Sequence, residues 1–478
     1  MKNFPKLLVL FLSSYLFLSC QDDLDDIEVP SDVAVKDFIW KGLNLYYYWQ
    51  SSVPELADDR FASQAELNEY LRGFEDPSDL FYNQLLFNYP IEDRFSFITS
   101  DYSVLEATLS GVTKNNGVDF RLFRDNNNPN RILGYVRYIL PNSDAATKNI
   151  QRGDIFYAVN GVALTENNYT ELLAPEVYSL NLADYDGGNF TPNGESVSLT
   201  KTQLAENPIY LHKVLDYGDK KIGYLMYNGF YNEYDNELNQ VFGQFLAEGV
   251  NELVLDLRYN SGGSVQTATY LASMITGSFD GQIFAKQQWN EKIEAFYADN
   301  QEQLINRFTS NIGNNSINHL NLPRVFILTT GSSASASELV INGLKPHINV
   351  ITIGTKTTGK NVGSVTLYDS PNFRPQGRST RHKYAMQPIC FKIVNSVGFG
   401  EYNNGIDPTG TPLPEDLGNL GILGEVNEPL LQQAISQITG EGRSQFSAPK
   451  EYIQLKDRKQ MLRFGTEMYL DTPEILNK

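Results

Sequence analysis

The chain has 478 residues, 41% hydrophobic and 20% charged, which is enough for two to four folded domains and excludes wholesale disorder. A net charge of −19 without a basic stripe excludes nucleic acid as a partner, because phosphate binding needs a concentrated basic surface. Scattered His212, His319, His347 and His382 and two remote cysteines give no metal-ligand spacing, so neither a metal nor another cofactor is expected. The 28 tyrosines and 27 phenylalanines suit β-rich packing and leave open a groove for peptide or sugar.

Lys2 and Lys6 precede an apolar run at 7–18, too short to span a bilayer comfortably and shaped like a secretory signal. The run ends at Ser19-Cys20, which resembles a bacterial lipoprotein cleavage site. That resemblance implies removal of the upstream peptide, acylation of Cys20, and an exported protein anchored to a membrane, the outer membrane on its periplasmic or external face. The acidic stretch 21–30 is either a flexible tether or a surface-export tag of the Bacteroidetes type. With Cys20 acylated, Cys390 has no intramolecular partner and reads as a small buried hydrophobe.

Residues 31–100 carry a helical pattern, with Val35, Phe38, Ile39, Trp40 and Leu43 on one face and a second helix at 64–73 before Asp76-Pro77. At 103–205 short strands and turns take over. Pro141-Asn142-Ser143-Asp144 and the run from Gly153-Asp154 to Asn160-Gly161 resemble a PDZ module, in which Asn-Gly supplies a turn with positive φ. Such a module binds a chain terminus as an added strand, and position marks Asn116-Gly117-Val118-Asp119 as its carboxylate loop. The long insertion at 165–193 reads as a loop, and a β-rich domain with no ligand is the alternative. From 215 to 440 strands and helices alternate, predicting a mixed, mostly buried sheet. Residues 441–478 are polar and irregular, a tail or a strap.

Three segments of this α/β region fit one chemistry. Asp256-Leu257-Arg258-Tyr259-Asn260-Ser261-Gly262-Gly263 is a buried strand breaking into glycines, where backbone N–H groups can approach a ligand closely. Gly331-Ser332-Ser333-Ala334-Ser335-Ala336-Ser337-Glu338 opens a helix, so a serine there sits in the positive end of the helix field. Gly354-Thr355-Lys356-Thr357-Thr358-Gly359-Lys360 is a loop after a second buried strand.

Together these resemble the C-terminal processing (tail-specific) serine peptidases, over roughly 100–440 with the PDZ module included. The resemblance implies an α/β (α+β overall) molecule: a mixed-sheet peptidase core, an inserted or preceding PDZ-like domain and a small helical N-terminal cap. It implies that Ser335 attacks the scissile carbonyl, that Lys360 takes its proton, and that the Ala336 N–H with one from Gly262 or Gly263 binds the oxyanion. Gly405-Ile406-Asp407-Pro408 is similar to the family's closing element. Its implied partners are peptides and C-termini of unfolded proteins. Two departures stand out: Gly354-Thr355-Lys356-Thr357 replaces the usual Gly-Glu-Pro-Thr, and Ser364 stands where some members carry a lysine-orienting glutamine. Glu338 matches the family glutamate and is either a support for the site or a first-turn acid favoured by the helix dipole.

A lysine base must be uncharged, which needs a pKa of about 7–8 in place of about 10.4. Burial can supply that roughly 3.5–5 kcal/mol, so the Lys360 amine is expected to be desolvated and free of any carboxylate, Glu338 included. Rival motifs fail. Gly354-x-x-x-x-Gly359-Lys360 nearly spells a P-loop, but Asn361 replaces the Ser/Thr and a strand pattern follows where a helix should open. No Gly-x-Ser-x-Gly elbow occurs. Pro449 spoils Ser447-x-x-Lys450, and His347 reads as a capping or surface residue. A non-catalytic peptide- or ligand-binding lipoprotein on the same scaffold is the competing reading.

Overall fold

The computed structural model describes residues 29–440, 450–462 and 464–470. The expected signal segment, Cys20 and most of the acidic tether lie outside them.

The N-terminal helical region is present. In α1 (Ala34–Tyr46) the face formed by Phe38, Ile39, Trp40, Leu43 and Tyr46 is buried, as its 3–4 residue spacing demands. Ser63 caps α2 (Gln64–Arg72) by accepting the Glu66 amide, and Glu66 returns a bond to the Ala62 amide. The region is tied to the rest of the chain by Asn290 Nδ2, which donates to the Leu45 and Tyr47 carbonyls.

A β-rich unit follows: β1 (Val118–Asp125), β2 (Asn128–Ile139), β3 (Ile155–Val159), β4 (Val177–Asp186) and β5 (Asn189–Thr200), each antiparallel to the next. Asn160 and Gly161 close the end of β3 with φ of 52° and 79°, the positive values a tight hairpin turn needs. The span 165–193 is not a long loop: it holds a short helix, Tyr169–Leu173, and most of the β4–β5 hairpin. Tyr178, Leu180 and Leu182 alternate inward along β4, a period-2 signal that the intervening Ser179 and Asn181 dilute.

The α/β core starts with β6 (Ile209–Tyr217) and β7 (Lys220–Tyr227), then α3 (Asp235–Ala247), β8 (Glu252–Asp256), the two-residue β9 (Gly263–Ser264) and α4 (Val265–Thr276). It continues through β10 (Ile283–Trp289), β11 (Ile305–Arg307), β12 (Arg324–Thr329), α5 (Ala336–Leu344), β13 (Asn349–Gly354), β14 (Val362–Val365), β15 (Ala385–Gln387), β16 (Ile389–Asn395) and α6 (Pro429–Thr439). The polar C-terminal region adds β17 (Gln454–Asp457) and β18 (Met468–Leu470).

Apart from β15, which pairs with Phe97–Thr99 in a separate three-stranded sheet, and β17, these strands form two sheets where one was expected. The first has order β6-β7-β8-β12-β13 and is parallel except for the β6–β7 pair. Its inner strands are buried beyond their first residues, which explains their unbroken apolar runs. The second has order β9-β18-β14-β16-β10-β11, so the C-terminal strand lies inside it, parallel to both neighbours. Residues 454–470 are therefore a strap. β17 pairs antiparallel with β1 and brings Leu455 against the core of the β-rich unit.

Candidate active site

The serine-rich turn between β12 and α5 is pinned by its own hydroxyls. Ser333 Oγ donates to the Leu257 carbonyl at 2.8 Å and Ser337 Oγ to the Asn260 carbonyl at 3.0 Å, fixing the turn on the loop after β8. Ser332 Oγ is shared by Arg121, Arg137 and Asp457. Ser335 alone of the four keeps its hydroxyl free: Oγ is fully buried and has no hydrogen-bond partner among the described residues. Its backbone sits at φ 63°, ψ −116°, a strained conformation for a residue with a Cβ. Such strain persists only where surrounding bonds over-determine it.

Glu338 supplies much of that determination. Buried in the first turn of α5, its carboxylate accepts the Ser335 amide at 2.8 Å, the Gly359 amide at 2.7 Å, the Lys360 amide at 2.8 Å and the Thr357 hydroxyl at 2.5 Å. One side chain thus clamps the serine turn to the lysine loop. Burial pushes its carboxyl above the usual range, and these four donors oppose the shift.

The lysine loop is held from outside as well. At Gly359 (φ 86°) a Cβ would lie 2.4 Å from the Asn403 carbonyl and the Gly405 amide, so only glycine lets that segment close over the loop. Thr357 and Ile406 exchange bonds, N–H to carbonyl at 3.1 Å and N–H to hydroxyl at 2.7 Å. From the helical region, Arg94 donates to the Gly359 carbonyl at 2.6 Å and Phe95 lays its ring 4.7 Å from the Lys360 amine. Lys360 is fully buried, and desolvation holds its pKa below the ordinary lysine value.

Both side chains flank one residue of the strap, Glu467. Lys360 Nζ donates to the Thr466 carbonyl at 2.6 Å and lies 3.1 Å from Glu467 Oε2. The Glu467 carbonyl accepts the Gly263 N–H at 2.6 Å. A Cβ built on Gly262 would meet the Glu467 carbonyl oxygen at 2.6 Å and Ser335 Oγ at 2.8 Å, so the two oxygens both fall within 2.8 Å of one point. The Gly263 N–H thus holds the Glu467 carbonyl near the buried Ser335 hydroxyl, while the desolvated Lys360 amine holds the preceding Thr466 carbonyl and the Glu467 side chain, an arrangement that fits acyl transfer.

Comparison with known proteins agrees with this geometry. Residues 221–374 match the model of peptidase family S41, and residues 34–97 match the peptidase S41 N-terminal domain. Two regions of the chain thus match the N-terminal and peptidase domains of peptidase family S41. It is 24% identical over 274 residues to a carboxyl-terminal-processing protease of Picosynechococcus, and 29% identical over 155 residues to a Staphylococcus aureus protein named as CtpA-like serine protease. Those matches take in 57% and 32% of this chain, and span 60% and 28% of the relatives' lengths. A solved Bacteroides fragilis protein assigned to the S41 proteases is 27% identical, with TM-score 0.65 over 85% of this chain and 97% of its own. The photosystem II D1 C-terminal processing protease, 19% identical, shares the fold with TM-score 0.50 over 84% of this chain and 98% of its own.

Several expectations need correction. Lys360 was expected to lack a carboxylate, yet Glu467 provides one; it arrives from 107 positions downstream, beyond the reach of any local pattern. Glu338 touches the lysine's backbone amide and leaves its ammonium alone. Ser364 Oγ bonds Glu467 Oε2 at 3.2 Å and Gln387 Oε1 at 3.3 Å, so it borders the amine's partner without accepting from the amine. Of the two glycines, Gly263 presents its N–H to the carbonyl, while the Gly262 N–H is taken by Asn260 Oδ1 at 2.9 Å. In the expected carboxylate loop, the Gly117 and Val118 amides are occupied by the Asn115 and Asn116 side chains at 2.9 and 3.1 Å. Asp119 is buried against Arg137 and Arg458. That loop has no amide of Gly117 or Val118 left for a chain terminus. Phe95, Gln387, Asn260 and Glu467 are the neighbours that sequence reasoning missed.

Proposed function

We propose that this protein is a serine endopeptidase in which Ser335 is the nucleophile and Lys360 the general base, acting on unfolded protein C-termini outside the cytoplasm. The observation that carries the reading is the free, buried Ser335 hydroxyl on strained backbone, in a turn that Glu338 clamps to the loop of a desolvated lysine. Neutral Lys360 takes the Ser335 proton as Oγ attacks the carbonyl carbon, and returns it to the leaving amine. The resulting ester is hydrolysed by a water that Lys360 deprotonates in turn. Gly263, with Ala336 at the first position of α5, holds the oxyanion. Cleavage of a disordered peptide between pH 6 and 10 tests this. Ser335→Ala and Lys360→Ala should lower kcat by more than about a thousandfold with the fold intact. Lys360→Arg should be equally inactive at every pH, because a guanidinium stays protonated. Equal cleavage by all the variants overturns the reading. So does peptide binding without cleavage by any of them, and the molecule is then a binder.

The β-rich unit acts in the same reading as a PDZ-like peptide-binding module, and the N-terminus as a lipoprotein export signal acylated at Cys20. Radiolabelled palmitate should enter the wild-type protein and fail to enter Cys20→Ala. Equal labelling of both removes the anchor from the proposal.

A further inference from the structure

The strap fills both surfaces that a peptide substrate would use. β17 lies antiparallel along β1, and Leu455 packs where a bound strand's side chain would contact the β-rich unit. The chain then runs through Asp457, Arg458 and Lys459, all buried in ion pairs, to the catalytic cleft. There β18 lies between β9 and β14, with Met468 opposite Gly263 and Tyr469 opposite Ser364. An extended segment paired with the cleft's own strands, its Glu467 carbonyl on the Gly263 N–H next to Ser335, has the pose of a bound substrate.

We propose that the C-terminal strand is the protein's own substrate, with the Glu467–Met468 bond presented to Ser335 and cut in cis to open the cleft. This rests on the peptidase reading above. Ser335 Oγ adds to the Glu467 carbonyl carbon as its proton passes to Lys360. The Glu467–Met468 C–N bond then breaks, and Lys360 protonates the departing Met468 nitrogen. Water hydrolyses the Glu467 ester and restores the Ser335 proton through Lys360. The products are a chain ending in the Glu467 carboxylate and a peptide beginning at Met468. Residues 454–459 keep their pairing and ion pairs, so only the segment beyond the cut leaves.

Glu467 also times the reaction. Its carboxylate engages the amine that must turn to Ser335 Oγ, and Ser335 Oγ has no partner while it does so. Glu467→Gln keeps the side-chain shape and removes the charge that favours the ammonium form. Self-cleavage should then run faster than in wild type, because a larger share of the lysine is uncharged.

The experiment follows the intact mass of purified full-length chain over time, as wild type, Glu467→Gln and Ser335→Ala, each with an added disordered peptide. The expected result is first-order, concentration-independent appearance of the species ending at Glu467, fastest in Glu467→Gln and absent from Ser335→Ala. If Glu467→Gln cuts the added peptide while its own 467–468 bond stays intact, the self-processing inference is overturned and the peptidase reading survives. If it cuts neither, both fall. Cleavage at 467–468 in Ser335→Ala assigns the cut to a contaminant and also overturns the inference.

Discussion

At the residue scale the catalytic argument turns on the charge of one amine. Lys360 is buried under Phe95, and its pKa falls because the ammonium is taken out of water; the Glu467 carboxylate opposes that fall. A base works in its deprotonated form, so activity should rise as pH increases through the depressed lysine value, below the ordinary figure of about 10.4. Removing the Glu467 charge removes the opposing influence, so the rising limb of Glu467→Gln should lie at lower pH than that of wild type. An identical limb in both would mean that Glu467 does not govern the amine. Ser335 and Lys360 could be singled out in the sequence as candidates because each lies in a short motif that resembles a known family. Glu467 and Gln387 could not. They reach the site through strand pairings set by the whole fold, and nothing in Phe464-Gly465-Thr466-Glu467 or Ala385-Met386-Gln387 marks a partner for a lysine.

At the scale of elements, the decisive junction is between the start of α5 and the loop before β14, and Glu338 makes it. The sequence left this residue as either a support or a dipole-favoured acid, and its four acceptor bonds show a clamp. A glutamine has one acceptor oxygen and a donor NH2 where the carboxylate has two acceptors. Glu338→Gln therefore turns part of the clamp into donor-against-donor contact with backbone N–H groups. The expected cost is about 1–3 kcal/mol, read by urea denaturation. Because Glu338 positions the two residues proposed as nucleophile and base, kcat should fall while KM changes little. An unchanged kcat, or a loss confined to KM, would leave the clamp without a catalytic consequence. The long elements were readable for a related reason: the buried strands β8 and β12 carry continuous apolar runs, and α1 carries a helical stripe. β17 and β18 were not readable. They are four and three residues long, and Gln454-Leu455-Lys456-Asp457 owes its strand form to β1 rather than to its own composition.

For the whole molecule, the strap joins units that the sequence presents as separate. Asp457 pairs with Arg137 of β2 at 3.3 Å and accepts from Ser332 of the catalytic turn at 2.5 Å. Arg458 reaches Asp119 of β1 at 3.2 Å and Glu206 at 3.1 Å, and Lys459 shares Glu206 at 3.1 Å. These groups are nearly all hidden from water, so each charge is tolerated only through its partners. Arg458→Met keeps much of the side-chain volume but leaves Asp119 and Glu206 one cation short, which should destabilise the protein by about 3–5 kcal/mol. Adding Asp119→Asn should recover part of that loss, since the two changes act on one pair and their effects will not add. The location of the damage separates a strap from a decoration. Hydrogen exchange in Arg458→Met should quicken in β17, β1 and the 331–335 turn together, because one network holds all three. Exchange that quickens in β17 alone would mean that the C-terminal segment lies on the domains without binding them to one another.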